Sequence, residues 1–133
     1  MNGFHQGGKP FTSKDVKCTF DLVLGKRGKI KLRKNPRKAW WKNLDSVESK
    51  GDSEVTFNLK RTQPAFLALL ASGYAPVYPC HVSPKTMRTH PIGTGPFKFV
   101  SLKQNESVKF VRNKDYWKKD RPYLDAIEYT IIK

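Results

Sequence analysis

The sequence predicts an α+β fold, a small and mainly antiparallel sheet covered by helices on one face. Three observations carry this. Val16, Phe20, Val23 and Leu24 recur at helical spacing. Val55, Phe57 and Leu59 alternate with Thr56, Asn58 and Lys60, giving a strand with one buried and one wet face. Phe97, Phe99 and Leu102 stand opposite Val108, Phe110 and Arg112 across a Gln104-Asn105-Glu106 turn, the pattern of an antiparallel hairpin. At 133 residues the chain has room for one domain of ordinary size, or for a one-domain piece of something larger.

In order, Phe4-His5-Gln6-Gly7-Gly8-Lys9-Pro10-Phe11 reads as a short extended piece turning through two glycines. Thr12-Ser13-Lys14-Asp15 starts a helix: Thr12 caps it, and Asp15 three residues on reaches back to the positive helix end. Gly25 stops it. Ala39 to Leu44 suits either a short helix or the beginning of a strand. Leu44 to Glu48 and Val55 to Leu59 form two strands joined by a turn at Ser49 to Ser53. Pro64 opens a short helix over Ala65 to Ala71, apolar nearly all round and so expected to be buried on more than one side. Tyr74 to Pro91, rich in Pro, Ser, Tyr and His, reads as a long loop with little regular structure. A compositional break at His90-Pro91 precedes the hairpin, Asn113 to Trp117 suggests one helical turn, and Ala126 to Ile132 a final strand.

The charge is unevenly placed. The chain carries a net +15, and nine of its basic side chains lie between Lys26 and Lys42, a segment with no acid. Elsewhere the balance is ordinary for a globular domain. Lysines alternating with Gly, Ile and Leu over Lys26 to Pro36 suit an exposed edge or loop, where they discourage edge-to-edge pairing. The leading reading is a solvated, charged excursion. A docking surface for an anionic partner and a wall of a ligand cleft are the alternatives. The longest apolar run, Ala65 to Ala71, is far short of the ~20 residues a membrane-spanning helix requires. Met1 to His5 shows no signal-peptide pattern.

No catalytic set emerges. His5, His81 and His90 are scattered, and neither Cys18 nor Cys80 belongs to a C-x-x-C pair, so no metal site and no cofactor are implied. Two separate thiols are the expectation for Cys18 and Cys80; a bridge formed in an oxidising compartment is the alternative. Gly93-Thr94-Gly95-Pro96 has the glycines of a phosphate loop, but Pro96 lacks an N–H and a strand follows where a helix is needed. Arg37-Lys38-Ala39-Trp40-Trp41-Lys42 is the one stretch that interleaves basic and aromatic residues as single-stranded nucleic acid would require. The remaining phenylalanines sit at core spacing, so nucleic acid is disfavoured as a partner. A small basic module binding nucleic acid or another polyanion through Lys26 to Lys42 is retained as the rival reading.

Four segments then suggest a family. Phe4 to Val16 resembles the F-H-D-G-x-P-F-T-A-x-D-V opening of the family 5 extracellular solute-binding proteins, the receptors of peptide, dipeptide and nickel ABC importers. Val55-Thr56-Phe57-Asn58-Leu59 followed by Pro64-Ala65-Phe66-Leu67 resembles its V-x-F-x-L … P-F-L strand and helix. Pro91-Ile92-Gly93-Thr94-Gly95-Pro96-Phe97 is similar to P-[VI]-G-T-G-P-[YF], and Arg112-Asn113-Lys114-Asp115-Tyr116-Trp117 to R-N-x-D-Y-W.

The resemblance implies part of the first lobe of a two-lobe periplasmic-binding-protein fold. Residues 1–90 would be the small α/β subdomain of that lobe, and residues 91–133 the hairpin and strand returning to its main sheet. It implies non-catalytic capture of a peptide-like or other small solute, enclosed with a second lobe that this chain lacks, and delivery to an ABC permease from the periplasm or cell exterior. Arg37 and Trp40 match an R-x-A-W stretch that faces the cleft in the nickel-binding branch, as anion partner and apolar wall. Tyr74 and Tyr78 are weaker candidates. A truncated sheet could also pair with another copy through its exposed edges, giving a homo-oligomer.

Overall fold

The computed structural model describes residues 8–30, 32 and 38–132. Phe4 to Gly7 of the expected extended piece, and Lys31, Arg33, Lys34 and Arg37 of the basic segment, lie outside them. The elements run α1 (Ser13–Leu24), a 3-10 turn (Lys38–Trp41), β1 (Leu44–Lys50), β2 (Glu54–Leu59), α2 (Phe66–Ala71), α3 (Pro84–Thr89), β3 (Phe97–Lys103), β4 (Ser107–Arg112) and β5 (Ala126–Thr130). Contacts divide the chain into two compact units, Thr12–Cys80 and a second built on residues 8–11 and 81–132. The sequence placed its break ten residues later, at His90-Pro91.

In the Thr12–Cys80 unit, α1 begins with the capping box read from Thr12 and Asp15. The Asp15 Oδ2 accepts the Thr12 N–H at 2.9 Å. At the other end Gly25 takes φ 78°, and the N–H groups of Gly25 and Lys26 close onto the carbonyls of Leu22 and Asp21. A left-handed residue there satisfies last-turn carbonyls at no steric cost to glycine. β1 and β2 form an antiparallel hairpin with Val47 opposite Phe57 and Leu44 opposite Leu59. A register shift between Leu44 and Ser46 breaks the alternation, and Leu44 and Val47 are both buried. Ser13, itself buried, pins α1 to the hairpin turn, donating its backbone N–H to the Asp52 carbonyl and its hydroxyl to the Gly51 carbonyl.

Phe20, Trp41, Leu44, Val47 and Phe66 make the core, with Val16, Val23 and Leu24 packed against it as the helical spacing predicts. Its rings meet edge to face: Phe20 with Trp41 at 4.9 Å and with Phe57 at 5.1 Å, and Phe57 with Phe66 at 5.4 Å. α2 departs from its prediction. Phe66 is buried, but Leu67 is 75% exposed, so the helix uses one side and not several.

The second unit holds a three-stranded antiparallel sheet of order β3-β4-β5. The hairpin register is the predicted one, Phe97 opposite Arg112, Phe99 opposite Phe110 and Leu102 opposite Val108, with an irregularity between Phe99 and Ser101 that the sequence did not signal. Two expectations fail here. The Tyr74 to Pro91 loop contains α3, whose Ser83 side chain accepts the Thr86 N–H at 3.1 Å and whose first turn carries Pro84. Asn113 to Trp117 forms turns and no helix. The Asn113 Oδ1 accepts the Asp115 N–H, which competes with a helical backbone.

Candidate functional site

The four expected binding residues have different fates. Arg37 lies outside the described residues. Trp40 and Tyr74 meet edge to face, ring centroids 5.4 Å apart and planes at 78°. They are 45% and 53% exposed. The 3-10 turn supplies Trp40, and the loop after α2 supplies Tyr74, so 33 residues of intervening chain fold to bring the two rings together. Edge-to-face geometry sets the positive ring edge against the negative face, which is the favoured arrangement for such a pair. An aromatic surface of this kind can take up an apolar or flat group of a ligand while remaining wet at its rim.

Tyr78 is held by its backbone. Its N–H donates to Thr19 Oγ1 at 2.8 Å, and its carbonyl accepts from the same hydroxyl at 3.2 Å. Thr19 is buried and also bonds the Asp15 carbonyl. Two residues on, the Cys80 N–H donates to Asp15 Oδ1 at 2.7 Å. Asp15 therefore caps α1 with one oxygen and anchors the returning chain with the other. Cys18 and Cys80 form a disulfide with Cα atoms 5.6 Å apart. The expectation of two separate thiols is corrected. Asp15, Cys18, Thr19 and Leu22 make a second stripe on α1, at spacings of three and four, and three of these residues hold Tyr78 and Cys80. That stripe was visible in the sequence, but its mixed polarity hid it from a search for apolar periodicity.

Near Gly93-Thr94-Gly95-Pro96, the Asn113 Nδ2 donates to the Gly95 carbonyl at 2.9 Å and the Asn113 N–H to the Pro96 carbonyl at 2.8 Å. Arg112 bonds the carbonyls of Tyr123 and Leu124 and pairs with Asp125. Both residues of the Arg-Asn dipeptide thus fasten backbone within their own unit. Among the described residues no group of three His, Cys, Asp or Glu side chains could hold a metal ion. No described helix is long and apolar enough to cross a membrane.

A family model described as "Bacterial extracellular solute-binding proteins, family 5 Middle" matches residues 3–133. The chain is 36% identical to the oligopeptide-binding protein AppA of Bacillus subtilis over 97% of its own length and 24% of that protein's. It is 32% identical to the glutathione-binding protein GsiB of Pectobacterium atrosepticum, again over 97% of the chain and 24% of the relative. The solved structure of Bacillus subtilis AppA in complex with a nonapeptide superposes with a TM-score of 0.79 at 35% identity, over 96% of this chain and 26% of that one. The chain therefore spans about a quarter of the length of the relatives it matches. The rival reading of a nucleic-acid module finds no support among them. A match that covers nearly every residue, repeated at the level of structure, makes this chain a member of the family 5 bacterial extracellular solute-binding proteins.

Proposed function

We propose that the chain contributes part of the first lobe of an ABC-importer receptor, which captures a peptide-like or other small solute for uptake without catalysing any reaction. The observation that carries this reading is the family match over residues 3–133. Relatives described as oligopeptide-binding and glutathione-binding support a solute built from amino acids. Residues 1–90 are assigned to the small subdomain of that lobe and residues 91–133 to its main sheet. Trp40 and Tyr74 form an aromatic wall for the solute, Arg37 is the anion partner, and Tyr78 is a further, weaker contact. Two lobes close around the solute, and the closed form docks on a membrane permease. Location in the periplasm or outside the cell follows from the family. The Cys18–Cys80 disulfide supports it, because such bonds persist in oxidising compartments.

Self-association through open sheet edges belongs to the same proposal. Among the described residues β3 and β5 each pair on one side only, and Val100 and Leu102 on β3 and Tyr129 on β5 are exposed. Unpaired edges with apolar neighbours favour pairing with a second copy. Sedimentation velocity of the 133-residue chain should show a dimer that grows with concentration.

Calorimetry on the same chain tests the solute reading. With one lobe's worth of contacts, no peptide should bind at micromolar concentration; micromolar binding would contradict the need for a second lobe.

A further inference from the structure

Within the Thr12–Cys80 unit, the end of α1, the 3-10 turn and the start of β1 leave a groove of about 570 Å³. Its floor includes Leu24, Trp41 and Leu44, and its rim carries Lys38, Lys42 and Lys60. The groove is distinct from the Trp40–Tyr74 pair, because the adjacent tryptophans diverge: Trp40 meets Tyr74, whereas Trp41 meets Phe20 and Phe66.

Three features define what fits. First, no carboxylate lines the groove, and among the described residues none of the three lysines is in an ion pair. Three ammonium groups around an apolar hollow, with no anion to balance them, create a local positive potential. Second, the floor is hydrocarbon and indole, which a bare anion would leave unsatisfied. Third, Trp41 and Leu44, 3% and 2% exposed, seal the bottom of the groove, and the partly exposed Val23 and Leu24 line the wall above them. A flat surface such as a bilayer would reach the lysines and not the floor. A narrow flexible chain reaches both. The volume lies within the range of pockets that hold small molecules.

We propose that this groove binds a small anionic amphiphile, a free medium-chain carboxylate, with its charged end among Lys38, Lys42 and Lys60 and its hydrocarbon against Val23, Leu24 and Ala39. The inference is independent of peptide capture, since it uses neither ring of the aromatic pair.

The test uses the full 133-residue chain, with tryptophan fluorescence and calorimetry as readouts. Hexanoate, octanoate and decanoate should each bind at one site, with affinity rising about fourfold for each added methylene until the groove is filled. Octanoate should bind about tenfold or more tightly than 1-octanol, because only the carboxylate makes charge-assisted hydrogen bonds. The double variant Lys42→Gln/Lys60→Gln removes exposed charges, so it should fold normally and bring octanoate close to the level of octanol. Ala39→Trp should plug the groove, which Ala39 also lines, and abolish binding of both. Affinity independent of chain length, equal binding of octanol and octanoate, or octanoate binding unchanged in the double variant would each overturn the proposal. So would cosedimentation with phosphatidylglycerol vesicles in the absence of any response to octanoate.

Discussion

Trp40 and Trp41 are neighbours in sequence, yet one is 45% exposed and the other 3%. Trp41 fills the space between Phe20 and Phe66, so Trp41→Ala should cost about 3–5 kcal/mol in urea denaturation, the range for a large core ring replaced by a cavity. Trp40→Ala removes a half-exposed ring and should cost under about 1 kcal/mol. Equal losses in the two variants would remove the case for Trp40 as a surface held for a ligand. Asp15→Ala is a sharper test of the α1 stripe. It deletes a helix cap and leaves the Cys80 N–H without its carboxylate, for an expected loss of about 2–4 kcal/mol. At this scale the sequence showed which residue types mattered and not where they pointed. R-x-A-W drew attention to Trp40, but its contact with Tyr74 depends on how the loop after α2 returns, and no local pattern encodes that.

Among the elements, those with a strong local signal were legible. α1 starts and stops where Thr12, Asp15 and Gly25 say, and the β3–β4 register follows from alternating apolar residues. What escaped was set by exceptions to periodicity. The irregularities at Leu44/Ser46 and Phe99/Ser101 insert a residue without any mark in composition. α3 was overlooked although Ser83 and Pro84 are a good helix start, because its six residues offer no apolar face and none is buried. α2 reads as buried on more than one side, yet Leu67 is 75% exposed. The disulfide is the element-scale feature with the largest expected effect. It joins α1 to the end of the same unit across a sequence separation of 62, and closing a loop of that length restricts the unfolded chain by about 4 kcal/mol. Reduction, or the Cys18→Ser/Cys80→Ser pair, should lower stability by roughly that amount in denaturant titrations. A loss below about 1 kcal/mol would mean that the bridge does not hold α1 to its neighbours in solution.

For the whole molecule, the net charge of +15 is concentrated between Lys26 and Lys42, which hold nine basic side chains and no acid. The family match places those charges in a solute-binding protein, where part of the segment rims a groove and part leads to Trp40. Tyr123, Leu124, Ile131 and Ile132 are apolar side chains exposed near the end of the second unit. We propose that this chain works as one part of a receptor for a peptide-like or other small solute, with Trp40 in the binding wall. The direct measurement is calorimetry of a nonapeptide with a chimera in which residues 3–133 replace the matching segment of Bacillus subtilis AppA, compared with the same chimera carrying Trp40→Ala. The chimera should bind the peptide, and Trp40→Ala should weaken binding about tenfold or more, as removal of a central aromatic contact does. A chimera that unfolds cooperatively yet binds no peptide, or one whose affinity Trp40→Ala leaves unchanged, would contradict the proposal.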